Sequence, residues 1–263
     1  MSAVSRGIAD PNLSAERVIG SLEPNPSLQV FDLGGMAYGP AYELQRAVQA
    51  SVIAGRERGG PTQVLLLVEH DPPVITVSRR RSAMNHLLAT QDALAQQGIE
   101  VEHTDRGGDI TYHGPGQLVV YPIIDLNSLG LRLHGYMRRL EEVVLRTLNT
   151  FGIDGERDDT ATGVWVPIEK GPASSAPAVG NAKICAMGVR VSRWVSMHGL
   201  ALNVTTNLEH FGLIVPCGLV GRPVTSMQQL LGERCPSMEA VKNELVTQFE
   251  TLFFHAPERA SSH

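Results

Sequence analysis

Hydrophobic and polar positions along the chain are arranged in a way that predicts several short strands. The run at 64–68 is uninterruptedly apolar, which is typical of a strand buried on both of its faces. Other short apolar or alternating runs, bounded by turn-forming residues, indicate further strands. These predicted strands lie at 28–33, 74–77, 100–103, 118–124, 163–166, 184–191 and 196–203.

Three longer segments repeat their apolar residues at steps of three and four, which predicts amphipathic helices. The first helix is expected at 41–58 and the second at 134–151, where a glycine follows as a stop signal. The third is expected at 238–252, with Ser237 as its N-cap.

Strands and helices are mixed without strict β-α-β alternation, so the pattern predicts an α+β (mixed α/β) fold. One domain is expected, spanning 27–254. Residues 1–26 and 255–263 lack a long apolar pattern, and we expect both to be flexible tails. The low-complexity segment 167–180 interrupts two predicted strands and is expected to be a mobile loop.

Composition excludes several classes of protein. The chain has 263 residues, 43% hydrophobic and 19% charged, which is enough for one sizeable core. A net charge of −5 gives no basic field, so no nucleic-acid partner is assigned. No stretch reaches the roughly 18 apolar residues of a membrane span, and the N-terminal sequence does not fit a signal peptide. Three cysteines without CxxC spacing favour a reducing compartment, and the cytoplasm is the expected location.

The segment 106–117, RGGDITYHGPGQ, has the densest concentration of glycine and polar residues. Glycines permit turns and close approaches that a side chain would block, while Arg106, Asp109 and His113 supply polar groups. The segment therefore predicts one wall of a pocket. An equally weighted alternative is a hairpin whose glycines serve only its turns.

Cys217 lies in the segment 214–219, IVPCGL, between a proline and a glycine. Proline fixes one backbone dihedral and glycine frees the next, so the thiol is expected at a bend where a nucleophile can be presented. The alternative is a buried, inert thiol, because free cysteine is among the most buried residue types.

Lys183 opens an apolar strand in the segment 181–190, NAKICAMGVR. A lysine at such a position is usually a solvated charge at the edge of a sheet. Small residues on this strand and the next could instead leave room for an acyl chain. These small residues are Ala186, Gly188, Gly199 and Ala201.

Other common kinds of site are not indicated. The histidines are scattered without an HExxH motif or paired Cys/His spacing, so no metal site is predicted. The glycines of 106–117 are followed by a strand and not by GK[ST], which argues against a nucleotide-binding loop. The absence of a GxSxG motif argues against a serine hydrolase.

Three segments resemble the lipoyl(octanoyl) transferase family. They are RGGDITYHGPGQL at 106–118, KICAMGVRVSRWVSMHGLALNV at 183–204 and FGLIVPCGL at 211–219. The similarity extends over 28–252 and keeps these segments in the order of the family. It implies the fold of biotin and lipoate protein ligases, a mixed sheet flanked by helices.

The resemblance also implies a site. Cys217 would hold an acyl group as a thioester, and Lys183 would activate the thiol. The implied substrate pocket consists of Arg106, Gly107, Gly108, Asp109, Ile110, Thr111, Tyr112, His113, Ala186, Met187, Gly188, Gly199, Leu200 and Ala201. Cys185 departs from the family pattern, since a small residue such as alanine is more usual there, and the segments 1–26 and 167–180 are longer than usual.

The reaction implied by the resemblance is octanoyl transfer. The donor would be octanoyl-acyl carrier protein, and the acceptors would be lysines in lipoyl domains of 2-oxoacid dehydrogenase complexes and in the glycine cleavage H protein. This is the first step of endogenous lipoate cofactor synthesis. Thioester exchange followed by aminolysis needs no ATP and no cofactor, which agrees with the missing phosphate loop.

Three rival functions stay open. An ATP-dependent lipoate or biotin ligase of the same fold would activate a free acid as an adenylate and would not need Cys217. A silent acyl-binding or carrier-binding module would bury Cys217 as packing. A thiol hydrolase would deliver the acyl group to water.

Overall fold

A computed structural model describes residues 5–6, 14–22, 28–56, 63–168, 180–216 and 221–254. Most of these residues belong to two β-sheets and the helices around them. The strands are β1 (Ser5–Arg6), β2 (Leu28–Met36), β3 (Gln63–His70), β4 (Val74–Val77), β5 (Glu100–His103), β6 (Ile110–His113), β7 (Gln117–Ile123), β8 (Glu156–Arg157), β9 (Val164–Ile168), β10 (Gly180–Ser192) and β11 (Val195–Asn203). The α-helices are α1 (Ala15–Gly20), α2 (Tyr38–Gly55), α3 (Gln91–Gln96), α4 (Leu133–Thr150), α5 (Met227–Leu231) and α6 (Met238–Phe254).

The larger sheet contains eight strands in the order β1-β2-β3-β7-β11-β10-β9-β8. Strands β1, β2 and β3 run parallel to one another, and the other neighbouring pairs are antiparallel. The smaller sheet has the order β5-β4-β6. Mixed sheets flanked by helices confirm the predicted fold class.

The larger sheet is buried on both faces. In β3, Leu65 and Leu67 pack with residues of α4 and α6, whereas Leu66 and Val68 pack with residues of α2 on the opposite face. This is the alternation that a strand requires. The apolar run that predicted a strand buried on both faces is therefore confirmed.

The smaller sheet closes a separate core. This core includes Ile75 from β4, Ile110 from β6 and Phe211 from a 3-10 helix at Leu208–Leu213. A second 3-10 helix at Ala83–His86 packs beside it. Antiparallel pairing of β4 with β6 fixes which residues of β6 face this core and which face away from it.

The three predicted helices correspond to α2, α4 and α6. Helix α2 begins at Tyr38, three residues before the predicted start, because the apolar stripe marks the buried face and not the first turn. The backbone N–H of Ala240 donates to Oγ of Ser237 at 3.2 Å, so the predicted N-cap of α6 is present. Within the part of the chain that is described, no helix is both long and apolar enough to cross a membrane.

Two stretches of the predicted tail 1–26, residues 5–6 and 14–22, are described in the structure. Its described residues form β1, which pairs with β2, and α1, which is capped by the side chain of Ser14. Val18 of α1 is fully buried against the α2 side of the larger sheet. A six-residue helix is too short to show apolar periodicity, so packing of Val18 and not local pattern holds it. The predicted tail 255–263 and residues 169–179 of the predicted loop lie outside the described residues.

Candidate active site

A pocket lies where β7, β10 and β11 meet β6 and the start of α2. Ala186 pairs with Ala201 and Ala201 pairs with Val119, so a row of short side chains crosses three adjacent strands. The pocket is narrow, with a cavity volume of about 40 Å³. We call it the sheet pocket, and it is lined by Tyr38, Arg106, Gly108, Thr111, His113, Val119, Tyr121, Ala186, Met187, Gly188, His198, Gly199, Leu200 and Ala201.

Ten of the fourteen residues predicted to bind substrate line the sheet pocket. Alternation along β6 separates two of the others from it. Thr111 and His113 face the pocket, whereas Ile110 and Tyr112 are buried in the core of the smaller sheet. These two residues support the wall from behind and do not form its surface.

The loop that begins at Arg106 lies directly against β10. The backbone N–H of Gly107 donates to the backbone oxygen of Val189 at 3.1 Å. A Cβ atom at Gly188 would lie 2.5 Å from the backbone oxygen of Gly107, so only glycine permits this approach. Arg106 Nη2 donates to the backbone oxygen of Thr76 at 2.8 Å, which ties the loop to the smaller sheet.

Buried, uncharged polar residues lie behind the sheet pocket. His70 Nε2 is 2.6 Å from the Tyr121 hydroxyl, and His113 Nδ1 is 2.7 Å from Gln117 Oε1. Burial lowers the pKa of His70 to about 4 and lowers the pKa of His113 well below its ordinary value. Burial also raises the pKa of Tyr121 well above its ordinary value. At neutral pH these groups carry no charge, which suits an apolar ligand.

His198 lies in the pocket wall with a left-handed backbone, at a φ of +60°. Its backbone N–H donates to Gln45 Oε1 at 3.0 Å, and its Nε2 is 2.9 Å from Asp105 Oδ1. Burial lowers the pKa of His198 to about 4, although Asp105 opposes the change. Burial alone would raise the pKa of Asp105, but His198 and Arg190 outweigh it and lower that pKa. Neutral His198 therefore donates from Nε2 to an Asp105 carboxylate.

Lys183 lies in a second, more open pocket with a cavity volume of about 430 Å³, which we call the lysine pocket. Its side chain is buried, with 7% of the residue exposed, and Nζ donates to the backbone oxygen of Thr162 at 3.1 Å. The two pockets share the wall formed by Gly108, Met187 and Gly188. Gly107, which was also predicted to bind substrate, lines the lysine pocket.

Two cationic side chains contact the ring of Trp165 beside the lysine pocket. Lys183 Nζ is 4.6 Å from the ring centroid, and Cζ of Arg222 is 3.7 Å from it. Arg222 also pairs with Asp158, and that hydrogen bond lowers the pKa of the carboxyl. Because the face of an aromatic ring attracts cations, Trp165 is a favourable neighbour for the buried Lys183 side chain.

Cys217 lies outside the described residues, but the chain on both sides of it is anchored. Before it, the backbone N–H of Val215 donates to the backbone oxygen of His86 at 2.8 Å. His86 Nδ1 is in turn 2.7 Å from the Asp109 carboxylate, so Asp109 holds this region and does not line the sheet pocket. After it, the backbone of Lys183 accepts Thr225 N–H and donates to the Pro223 oxygen, both at 2.9 Å. Residues 223–225 therefore lie against the backbone of Lys183.

The other two cysteines pack in or against the hydrophobic core. Cys185 is fully buried in the core between the larger sheet and helices α4 and α6, and burial raises the pKa of its thiol to about 12. Cys235 packs against the same core, and burial also raises its pKa. Both thiols are therefore protonated and weakly nucleophilic at neutral pH.

Four residues that line the sheet pocket were not predicted: Tyr38, Val119, Tyr121 and His198. His198 lies immediately before a predicted pocket segment, and a histidine inside an apolar strand was the available signal. Tyr38 and Tyr121 belong to elements recognised only by their apolar pattern. Nothing local distinguishes them from core tyrosines.

The sequence matches a family model described as the lipoyl protein ligase A/B catalytic domain, over residues 41–250. A curated relative called octanoyltransferase, from Koribacter versatilis (strain Ellin345), is 44% identical over 228 residues, which cover 86% of this chain and 84% of the relative. Another octanoyltransferase, from Chloroflexus aurantiacus (strain ATCC 29366 / DSM 635 / J-10-fl), is 43% identical over 232 residues, which cover 88% of this chain and 96% of the relative.

Solved structures show the same fold at low sequence identity. A bipartite lipoate protein ligase from Thermoplasma acidophilum has a TM-score of 0.58 at 17% identity, covering 86% of this chain and 82% of that one. A lipoate-protein ligase A bound with ATP has a TM-score of 0.57 at 17% identity, and the match covers 86% of this chain and 84% of that one. The chain therefore belongs to the octanoyltransferases of the lipoyl protein ligase A/B catalytic-domain family.

Proposed function

We propose that this enzyme takes an octanoyl group from octanoyl-acyl carrier protein onto Cys217 and passes it to a lysine of a lipoyl domain. The observation that carries the proposal is the wall of Gly108, Met187 and Gly188, which the apolar sheet pocket shares with the pocket of Lys183. An acyl chain in the first pocket would bring its carbonyl to this wall. Lipoyl domains of 2-oxoacid dehydrogenase complexes and the glycine cleavage H protein are the proposed acceptors, and the cytoplasm is the proposed location.

Formation of the acyl-enzyme requires a thiolate. An ordinary cysteine thiol has a pKa of about 8.5 and is only a few per cent ionised at pH 7, but a neighbouring ammonium favours the thiolate. In the proposed step the Cys217 sulfur attacks the carbonyl carbon of the donor thioester. The bond to the carrier sulfur breaks, and that sulfur leaves as a thiolate that takes the proton of Lys183, which becomes a neutral amine. The step exchanges one thioester for another, so no activating nucleotide is needed.

Transfer to the acceptor requires a neutral amine. The nitrogen of the acceptor lysine attacks the acyl-Cys217 carbonyl, an amide forms, and the Cys217 sulfur leaves. The attacking nitrogen must lose a proton, and a deprotonated Lys183 is the proposed acceptor for it. Lys183 would thus hold a positive charge beside the thiol in the first step and accept a proton in the second.

The order of the chain around the site supports Cys217 over the other cysteines as nucleophile. The hydrogen bonds between Lys183 and residues 223–225 hold the chain that follows Cys217 against the base. Cys185 is buried with a raised pKa, and Cys235 lines neither pocket. Neither of these two offers an accessible thiolate.

Mass spectrometry of the intact protein tests the proposal. Incubation with octanoyl-acyl carrier protein should add one octanoyl mass, and peptide mapping should place it on Cys217. Subsequent addition of a lipoyl domain should remove this mass and add it to the domain. The Cys217→Ala variant should stay folded and acquire no label, whereas Cys235→Ala should label normally.

The rival functions predict different results. Transfer from free octanoate that depends on ATP and survives Cys217→Ala would identify a ligase. A stable complex with the carrier but no covalent label would identify a binding module. Release of free octanoate in the presence of a lipoyl domain would identify a hydrolase.

A further inference from the structure

A basic surface with exposed apolar residues lies beside the lysine pocket. Arg79, Arg80 and Arg81 are consecutive and exposed, and the sequence contains no Asp or Glu between Asp71 and Asp92. Met84 and Leu88 follow them, with 46% and 61% of their surfaces exposed. We call residues 79–88 the arginine surface. A chain with a net charge of −5 thus concentrates positive charge at one place.

The arginine surface is joined to both parts of the site. Arg80 lines the lysine pocket together with Lys183. The backbone N–H of Leu88 donates to the backbone oxygen of Leu213 at 2.9 Å, and the His86 oxygen accepts the N–H of Val215. The surface therefore lies against the segment that leads into Cys217.

We propose that the arginine surface is the docking site for the donor, an acidic carrier protein that presents its acyl thioester on a flexible arm. The proposal rests on the proposed function, because it assumes that the donor thioester is protein-bound. Opposite charges accelerate encounter and orient the two partners, whereas the overall charge of the enzyme would repel an acidic one. Met84 and Leu88 add apolar contact area, and a methionine side chain adapts to different partner shapes.

Arg81 and Leu88 are the positions to test. Arg80 lines the lysine pocket, and Arg79 Nη2 lies 3.5 Å from the Asp105 carboxylate, so changes there would disturb the site itself. Arg81 and Leu88 are exposed and line neither pocket. The double variant Arg81→Glu/Leu88→Glu reverses the charge and removes the exposed apolar group.

The experiment compares two donors in single-turnover acylation. Octanoyl-acyl carrier protein needs docking, whereas octanoyl-pantetheine is a neutral small thioester that does not. At low ionic strength the double variant should lose at least about tenfold in kcat/KM with the carrier donor, a loss of about 1.4 kcal/mol. Its rate with octanoyl-pantetheine should stay unchanged. The matched control is Arg234→Glu, an exposed arginine that lines neither pocket and should behave as wild type with both donors.

Salt provides a second readout. Added salt should slow wild-type acylation by the carrier and should affect the double variant much less, because screening acts on the charges that the variant lacks. The neutral variant Arg81→Gln/Leu88→Gln should fall between wild type and the charge reversal. This glutamine variant also replaces the glutamate variant in the experiment if the latter does not fold.

The outcomes separate this proposal from the proposed function. If neither donor acylates the wild-type enzyme, the proposed function fails. If the wild-type enzyme is acylated but the variants keep full rates with the carrier, docking is elsewhere and the proposal is overturned. It is also overturned if the variants slow only the transfer to the lipoyl domain, or if both donors slow equally in a variant with a native melting temperature.

Discussion

Gly188 is the residue whose replacement should show most directly that the pocket wall depends on a close backbone contact. A Cβ atom at this position would lie 2.5 Å from the backbone oxygen of Gly107. Gly188→Ala should therefore push the 106–109 loop away from β10. We expect a loss of stability of about 1–3 kcal/mol, as for other overpacked sites. Octanoyl transfer should fall much further than stability, because the displaced wall borders both pockets.

Urea unfolding and transfer assays measure the two effects. Gly212→Ala is the matched control, since no atom lies within 4 Å of a Cβ built there. Full activity in Gly188→Ala would show that the loop moves aside without consequence.

Lys183 should be needed in both half-reactions, but for different reasons. Lys183→Arg retains a cation beside Trp165 yet supplies no neutral base, because guanidinium stays protonated. This variant should form some Cys217 acyl-enzyme and be slow in transfer. Lys183→Met keeps length and apolar bulk and should be poor in both steps. Single-turnover kinetics with each half-reaction separated make the comparison.

Alkylation of Cys217 against pH is the independent check on Lys183. The wild-type thiol should react with an apparent pKa well below about 8.5, and the Met variant should return towards it. The same profile in both proteins would contradict a Cys217–Lys183 pair.

Among the residues of the pocket wall, the sequence predicts those in local motifs and misses those that tertiary packing brings from distant parts of the chain. Thr111 and His113 could be found because they lie in a glycine-rich segment with polar groups. Tyr38 and Tyr121 could not, since their place in the pocket wall depends on how α2 and β7 pack. Ile110 and Tyr112 show the converse, because a motif selects consecutive residues but a strand sends alternate ones to opposite faces.

Strands β10 and β11 are joined by a two-residue turn whose sequence is unfavourable for its backbone conformation. Ser192 pairs with Val195, and between them Arg193 and Trp194 have φ angles of +47° and +66°. Turns of this kind favour Asn-Gly, because most side chains are strained at positive φ. Arg193→Asn/Trp194→Gly should raise the free energy of unfolding by about 1 kcal/mol.

Urea titration of the hairpin variants tests this, with Arg193→Lys as a control that keeps the strain. A lower stability in the Asn-Gly variant would show that packing of the half-exposed indole outweighs the strain of the turn.

Elements with a clear apolar pattern could be predicted from the sequence, and elements held only by partners could not. Strands β4 and β5 have the bounds that their sequences predict. Strands β1 and β8 contain two residues each and exist through pairing with longer neighbours. Helices of five or six residues, such as α3 and α5, are below the length at which periodicity is visible.

The order of the strands is a property of the whole molecule that no local pattern contains. Strand β7 lies between β3 and β11, which are separated from it by long stretches of chain. Apolar runs indicate that such strands are buried but do not say which neighbour each one takes. The pocket could therefore be predicted as a set of residues but not as a place between particular strands.

Stability of the whole molecule should fall in mildly acidic solution because of its buried histidines. In the folded chain His70 stays neutral to about pH 4, whereas in the unfolded chain a histidine binds a proton near pH 6.5. Between these values the unfolded state binds more protons, so the free energy of unfolding rises with pH. The stability contributed by neutral, buried His70 should be lost as the pH falls from about 6.5 towards 4. His113, whose pKa is also lowered by burial, adds to this loss.

Urea unfolding at pH 7.5 and pH 5 measures this dependence. His70→Gln lacks the titrating group, so its stability should change less between the two pH values, even if it is lower at both. Parallel pH dependences in the variant and the wild type would assign the effect to other groups.

The contacts of Trp165 with Lys183 and Arg222 also give the molecule an optical probe. The chain contains two tryptophans, and the other, Trp194, is half exposed at the hairpin tip. Trp165 is almost fully buried and touches the wall of the lysine pocket. Indole emission responds to nearby charge, so in a Trp194→Phe background the fluorescence of one residue would report the changes of charge proposed for Lys183. Acylation and transfer could then be followed in real time on unlabelled protein.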